Sequence, residues 1–167
     1  MPAWSPSVQR TVRRLEQWRS LAPWERRLLL QLAVLLPLIG GTLRLLGYNR
    51  TRALLERLSQ AAKRPTPVDP TAATAETAQR LARLVSIAAN HGPYRATCLR
   101  QSLALWWLLR RRAIAADLRI GVRKEQGELQ AHAWVEHHGQ ALNDGQGVTR
   151  SYAAFPPSIP AATATRP

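Results

Sequence analysis

The apolar residues of this chain change their spacing at Ala113, and this change constrains the fold more than any other feature. Residues 97–112 are apolar nearly all round up to three closing arginines, which is typical of a central, buried helix. Beyond Ala113, apolar and polar residues alternate over 118–122 and pair with a second strand pattern over 129–135, and Gln126–Gly127 supplies a turn between the two. The sequence therefore predicts an α+β fold in which helices pack on a small antiparallel sheet.

A proline-rich stretch marks the clearest boundary in the chain. Residues 64–70 contain three prolines, which exclude a helix there. We divide the 167 residues into a basic, Leu-rich helical arm over 1–63, a linker over 64–70, a working core over 71–155 and a flexible tail over 156–167. A chain of this length is expected to form one domain with a real core and is too short for two ordinary ones.

The arm contains an uncharged run from Leu28 to Leu43. These 16 residues are interrupted by Pro37 and Gly40–Gly41, and about 20 apolar residues are needed to cross a bilayer. The run predicts a buried or peripheral helix kinked at Pro37, and the flanking arginines could equally hold it at an anionic membrane surface. Since the first 20 residues lack a continuous apolar segment, no signal peptide is expected, and the protein is assigned to the cytoplasm with membrane association through the arm left open.

The charge of the chain favours acidic partners without selecting one. Lysine and arginine number 24 against 10 acidic residues, a formal net charge of +14. The basic residues are not clearly interleaved with exposed aromatic residues on one face, so nucleic acid is not an expected partner. The single cysteine excludes a disulfide framework and a Cys-rich zinc module, and the adjacent His137 and His138 point to opposite faces of a strand. Neither a metal nor another cofactor is expected.

Three residues of the core have the chemistry of a thiol acyl-transfer site. Cys98 opens the predicted central helix, where free backbone N–H groups and the positive end of the helix dipole stabilise a thiolate. His132 lies in the predicted strand, within AHAWVE, and Asp144 follows 12 residues later. A nucleophile at a helix N-terminus, an imidazole base and an orienting carboxylate are together what such catalysis requires. Taken singly, each has an ordinary alternative: a small core residue, a core or edge histidine, and part of an Asp–Gly turn.

The register of the strands sets a condition on this hypothesis. Strand alternation places His132, Trp134 and Glu136 on one face. If residues 138–140 form a three-residue loop, Trp134 lies opposite Asp144, and the carboxylate is diagonal to His132 on the same face. A two-residue loop would instead put Asp144 on the other face. The hypothesis therefore predicts the three-residue loop.

The groups that would stabilise an oxyanion are less well defined by the sequence. The backbone N–H of Cys98 is the natural first donor, because it lies at the helix N-terminus beside the reacting sulfur. Tyr94 and Arg95, just before it, and Trp134, beside His132, are weaker candidates for a second donor or a substrate contact.

The order Cys, His, Asp, with the cysteine opening a helix and the other two on consecutive strands, resembles the transglutaminase-like branch of the papain-like cysteine enzymes. More narrowly, CLRQSLALWWLLRRRAIAADLRIGVR followed by LQAHAWVEHHGQALND is similar to the B protein of lasso peptide biosynthesis in its stand-alone leader-peptidase form. The similarity is dense from Thr97 to Asp144 and looser through the Leu-rich arm. It departs at Ala113, where relatives usually have glycine, and an alanine there disfavours a left-handed cap.

The resemblance implies a function, a catalytic set and partners. Cys98, His132 and Asp144 would form the triad of a cysteine peptidase that removes the leader from a ribosomally synthesised lasso peptide precursor, through an acyl-enzyme and without a cofactor. The implied partners are the precursor peptide, a separate small leader-binding protein and an ATP-dependent macrolactam cyclase. Two alternatives stay open: a non-catalytic adaptor at a membrane surface or in a complex, and a transglutaminase-like enzyme that transfers the acyl group to an amine.

Overall fold

The computed structural model describes residues 21–61, 72–91, 96–125, 127–144 and 151–155 of the chain. Its elements, in chain order, are α1 (Pro23–Ala61), α2 (Ala72–His91), α3 (Cys98–Arg110), β1 (Asp117–Glu125), β2 (Glu128–His137), β3 (Gln140–Ala141) and β4 (Ala153–Ala154). The predicted linker over 64–70 and tail over 156–167 lie outside the described residues.

The described strands form one antiparallel sheet in the order β3-β2-β1-β4, with the helices before them in the chain. β1 and β2 form a hairpin in which Glu125 pairs with Glu128, and Gly127 has the positive φ, 90°, that such a tight turn requires. Leu118 of β1 lies opposite Val135 of β2, and both belong to the core shared with the helices. The predicted α+β class is confirmed.

One hydrophobic core joins the helices to the sheet. α3 lies at its centre, packed against α1, α2 and β2, with Leu105 and Leu109 fully buried. The Leu-rich run adds Leu32 and Leu36 to the same core, so one face of α1 packs against the rest of the fold. By length and composition Pro23–Ser59 is apolar enough to cross a membrane, although 33% of its most apolar window is buried inside the fold.

α1 is kinked at Gly47. Gly47 has φ 76° and ψ 176°, a combination that is open almost only to glycine and cannot belong to a helix. Pro37 lies inside the helix with helical torsions. The torsions of Gly47 interrupt the helix, whereas proline removes one helical hydrogen bond but keeps a helical φ, so the kink at Pro37 stays a prediction.

The N-terminus of α1 is held by Glu25. Its carboxylate accepts the N–H of Ala22, just before the helix, at 2.8 Å and Nε of Arg80 on α2 at 2.7 Å. Pro23 occupies the first helical position, where a backbone N–H would have no partner within the helix, so proline loses nothing there. The hydrogen bond from Arg80, followed by that from Ala22, lowers the pKa of Glu25. These contacts therefore stabilise the fold at neutral pH, and the contribution is lost as the pH falls through the lowered value.

α3 ends on a left-handed residue that is not glycine. Ala113 has φ 57°, its N–H bonds the carbonyl of Arg110 at 3.1 Å, and the N–H of Ile114 bonds the carbonyl of Leu109 at 3.0 Å. This is the Schellman arrangement, in which the left-handed position usually carries glycine because a Cβ is strained there. The left-handed cap thus forms despite the alanine. The next residue, Ile114, has its side chain buried in the core.

Replacing Ala113 with glycine is expected to raise the free energy of unfolding by about 0.5–1 kcal/mol, because relief of the left-handed strain exceeds the added freedom of the unfolded chain. Urea denaturation followed by circular dichroism measures the change. Ala115→Gly is the matched control, since Ala115 is exposed and lacks a positive φ, and it is expected to lower stability or leave it unchanged. Equal shifts in both variants would contradict the strain at Ala113.

Candidate active site

His132 and Asp144 are joined by a hydrogen bond. Nε2 of His132, on β2, bonds Oδ2 of Asp144, which follows β3. Both groups keep access to solvent, with 22% and 33% of their side-chain surfaces exposed. The bond takes up Nε2 and orients the ring, which leaves Nδ1 as the nitrogen that can exchange a proton with a third group.

Asp144 reaches His132 by a route that differs from the predicted one. β2 and β3 are joined by a two-residue turn, His138–Gly139, since His137 pairs with Gln140. Both turn residues have positive φ, 49° and 77°, as in the hairpin turns whose twist matches that of the flanking strands. The predicted three-residue loop is therefore wrong.

Asp144 nevertheless lies beside His132, because β3 is short. The strand ends at Ala141, and pairing continues only as far as the N–H of Leu142, which bonds the carbonyl of Val135 at 2.9 Å. The chain then bends, so Asp144 no longer follows the alternation that would have put it on the opposite face. The condition set on loop length was unnecessary, since it assumed that the strand continues through Asp144.

Cys98 is the first residue of α3, as predicted, and is partly buried. Thr97 precedes it in an extended conformation and makes no side-chain capping bond, so its hydroxyl does not occupy the N–H groups of the first turn. Among the described residues, no hydrogen bond joins the Cys98 thiol to His132. In free enzymes such catalytic contacts are often long and tighten only when substrate binds.

A buried hydroxyl fixes α3 to the edge of β2. Ser102, one turn after Cys98, donates its Oγ–H to the carbonyl of Ala133 at 2.9 Å and accepts Nδ2 of Asn143 at 2.9 Å. The other end of that amide, Oδ1, accepts the N–H of Val135 at 2.8 Å. We call Ser102, Asn143 and Ala133 the edge clamp. It occupies the part of the β2 edge that β3 leaves unpaired.

Ser102 fixes α3 beside the strand that carries His132. Its hydroxyl bonds the carbonyl of Ala133, the residue after His132. Cys98 lies about one helical turn, roughly 5.4 Å, before Ser102 on the same helix. The segments that carry Cys98 and His132 are therefore joined by this contact.

Aromatic rings pack around the His132 imidazole. The ring centroid of Trp134, which is fully buried, lies 6.3 Å away, and that of Tyr152 lies 5.2 Å away. Trp134 donates its indole N–H to Glu136 at 2.8 Å, and Glu136 also pairs with Arg119 at 3.0 Å. His132, Trp134 and Glu136 therefore share one face, as the alternation predicted.

Gly121 makes room for this packing. It lies opposite His132 in the register of β1 and β2, and a Cβ there would come within 2.9 Å of the Trp134 ring. Any side chain at this position would displace the indole that stacks on His132.

The residues predicted to contact an oxyanion or a substrate have different outcomes in the structure. Tyr94 and Arg95 lie outside the described residues. Trp134 is buried and gives its only N–H to Glu136, so it has no donor left for a substrate oxygen in this structure. The backbone N–H of Cys98, at the start of α3, stays the predicted first donor.

The histidines of the β2–β3 hairpin contribute to structure. His137 is buried and bonds the carbonyl of Ala115, while His138 forms part of the turn. In the parts of the chain that the structure describes, no group of three or more His, Cys, Asp or Glu side chains is placed to hold a metal ion.

Sequence reasoning missed Ser102, Asn143 and Tyr152. Ser102 carried a signal, because a serine among the leucines of a central helix must find a buried partner. Asn143 carried a weaker one, since asparagine often replaces backbone groups where a strand ends. Tyr152 carried none, because no pattern connects the short strand after it with β1.

The comparison with known families identifies the broad class. A family model described as the transglutaminase-like superfamily matches residues 42–156, which include α3, the whole sheet, Cys98, His132 and Asp144. The chain belongs to the transglutaminase-like superfamily. The match begins within α1, so it includes part of the predicted arm. Neither the curated proteins nor the solved structures gave a significant match.

Proposed function

We propose that this protein is a cysteine peptidase that cleaves a ribosomally synthesised lasso peptide precursor at the junction of leader and core, with Cys98, His132 and Asp144 as its triad. The observation that carries the proposal is the hydrogen bond between His132 and Asp144, in a fold whose α3 begins at Cys98. The superfamily includes cysteine peptidases. The choice of a leader peptide as substrate rests on the sequence similarity between Thr97 and Asp144.

The first half of the proposed reaction acylates the enzyme. The Cys98 thiolate attacks the carbonyl carbon of the scissile peptide bond, and the N–H groups at the start of α3 stabilise the oxyanion that forms. The protonated His132 then gives its proton to the leaving nitrogen as the C–N bond breaks. The products are the free amine of the core peptide and a thioester between the leader and Cys98.

The second half releases the leader. His132 takes a proton from water, whose oxygen attacks the thioester, and the C–S bond breaks to return the thiolate and a leader carboxylate. Asp144 keeps Nε2 of His132 engaged through both halves and stabilises the imidazolium form. No metal or other cofactor takes part in this scheme.

The test is cleavage of a precursor peptide by the purified protein in ¹⁸O-labelled water, with and without a leader-binding protein. Mass spectrometry is expected to find the core with a free amine and the leader with one ¹⁸O atom in its new carboxylate. The same assay with an added amine separates hydrolysis from acyl transfer, since transfer would give an amide of the leader. Binding of the precursor without cleavage would instead favour the non-catalytic adaptor.

The partners of this reaction belong to the same proposal. A small leader-binding protein would deliver the precursor, and an ATP-dependent macrolactam cyclase would consume the amine that cleavage frees. A location in the cytoplasm fits a substrate that is made on the ribosome.

A further inference from the structure

α1 is apolar on two opposite faces, and the described residues of the fold cover one of them. Its covered face contributes to the core through Leu28, Leu32, Leu36 and Ile39. Four large side chains on the other face, which we call the apolar row, are exposed: Leu30 (62%), Val34 (62%), Leu38 (60%) and Leu45 (83%). A helix that is apolar all round is normally buried in protein or lipid, so a row of this kind marks an interaction surface.

The rim of the apolar row is positively charged. Arg27 and Arg44 flank it on α1, and Arg111 and Arg112 line the groove between the row and the C-terminal end of α3. The acidic residues of α1 lie towards its two ends and are paired, Glu25 with Arg80 and Glu56 with Arg110. An apolar strip with a cationic rim complements the acyl chains and phosphates of an anionic bilayer.

We propose that the apolar row rests on the surface of an anionic membrane, with the first half of α1 in the plane of the bilayer. The helix does not span the membrane, because the opposite face of α1 is packed in the core with α2 and α3. Partial burial and the neighbouring Arg111 lower the pKa of Arg112, and a lipid phosphate beside this guanidinium would offset both effects.

The groove beside the apolar row lies at the C-terminal end of α3, whereas Cys98 is the first of the 13 residues of that helix. The row itself continues along α1 beyond the groove. Gly40, two residues after Leu38, lies beside the side chain of Arg100 in the first turn of α3. The apolar row therefore runs beside α3 from the groove to the level of its first turn.

The experiment is co-sedimentation of the full chain with vesicles of phosphatidylcholine alone or with added phosphatidylglycerol. The protein is expected to bind the anionic vesicles, and binding should weaken as salt is raised. The combined variant Leu30→Gln, Val34→Gln and Leu38→Gln is expected to bind at least about tenfold more weakly. Replacing Arg111 and Arg112 with glutamine should weaken binding by about fivefold for each arginine.

Leu129→Gln is the matched control, because Leu129 is 76% exposed on β2, away from the row. It should bind as the unchanged protein does, and circular dichroism checks that every variant is folded. The proposal fails if anionic vesicles are not bound, or if the triple variant binds them equally well. It also fails if the protein resists extraction at alkaline pH, which indicates a spanning helix, or if sedimentation equilibrium shows that the row joins two copies.

A second inference comes from the edge clamp and rests on the proposed function. Ser102 lies one turn after Cys98, and its two partners, Ala133 and Asn143, are the immediate neighbours of the predicted base and carboxylate. The clamp therefore connects the three segments that carry the triad. Its hydroxyl is fully buried, and both ends of the Asn143 amide are bonded, so its geometry has little freedom.

We infer that Ser102 and Asn143 are positioning residues, which set the approach of the Cys98 sulfur to the His132 ring. Ser102→Ala is expected to lower kcat by about 10²-fold with little change in KM, because a displacement near 1 Å is enough for a loss of that size. Asn143→Ala should act through the same clamp. The double variant is therefore expected to lose little more than the worse single variant.

Ser59→Ala is the matched control, since Ser59 is also buried and bonds a backbone carbonyl, that of Glu56, at 2.7 Å. It should leave kcat unchanged. The inference would be overturned if the fold-losses in kcat of the two single variants multiplied in the double variant. It would also be overturned if the variants lost thermal stability but kept their kcat. An unchanged protein that fails to cleave any precursor would count against the proposed function instead, so the two failures are distinct.

Discussion

The Cys98→Ala variant is expected to lose cleavage of the precursor by a factor on the order of 10⁴ or more, because no other group in the proposed site can form the thioester. The fold should remain, since Cys98 is only partly buried and alanine is well tolerated in the first turn of a helix. Cleavage is measured by mass spectrometry, and precursor binding by fluorescence anisotropy.

Precursor binding by Cys98→Ala should match that of the unchanged protein, which separates lost chemistry from lost structure. Iodoacetamide at mildly acidic pH gives an independent measurement, because only an activated thiol reacts at an appreciable rate there. The protein has a single cysteine, so alkylation reports on Cys98 alone. A Cys98→Ala variant that still cleaves would remove the thiol from the mechanism.

Asp144→Asn is expected to lower kcat by about 10²–10⁴-fold while leaving KM and the fold nearly unchanged. The amide has the size of the carboxylate, but it does not stabilise the imidazolium form and favours the wrong tautomer of His132. Steady-state kinetics of precursor cleavage, which give kcat and KM separately, are the measurement.

Asp117→Asn is the control for this change. Asp117 has 68% of its side-chain surface exposed and lies 3.9 Å from Arg119, so it is an aspartate of β1 with a weak ion pair and no contact with His132. The control should keep full activity. If Asp144→Asn and Asp117→Asn lower kcat by the same small factor, Asp144 contributes to the stability of the sheet and not to the orientation of His132.

The parts of the fold that depend on local pattern could be predicted. The alternation beyond Ala113 predicted the β1–β2 hairpin and the shared face of His132, Trp134 and Glu136, because side-chain direction in a strand follows directly from residue number. The position of Cys98 at the start of α3 followed in the same way from the Leu-rich pattern after it. These features require no knowledge of distant contacts.

The features that depend on where an element stops could not be predicted. The face of Asp144 follows from the end of β3 at Ala141. Where this strand ends depends on tertiary packing more than on the local sequence. Tyr152 reaches His132 only because the short strand β4 pairs with the far side of β1, a contact between distant segments that leaves no period in the sequence.

The tight turn at His138–Gly139 makes the length of this hairpin a constraint on the evolution of the protein. An extra residue there would either bulge outwards or slide β3 along β2 by one position, and sliding would carry the amide of Asn143 away from Ser102. Insertions in this turn should therefore be rejected far more often than substitutions. Natural variants of this hairpin are expected to differ in the identity of the turn residues but to keep a turn of two residues.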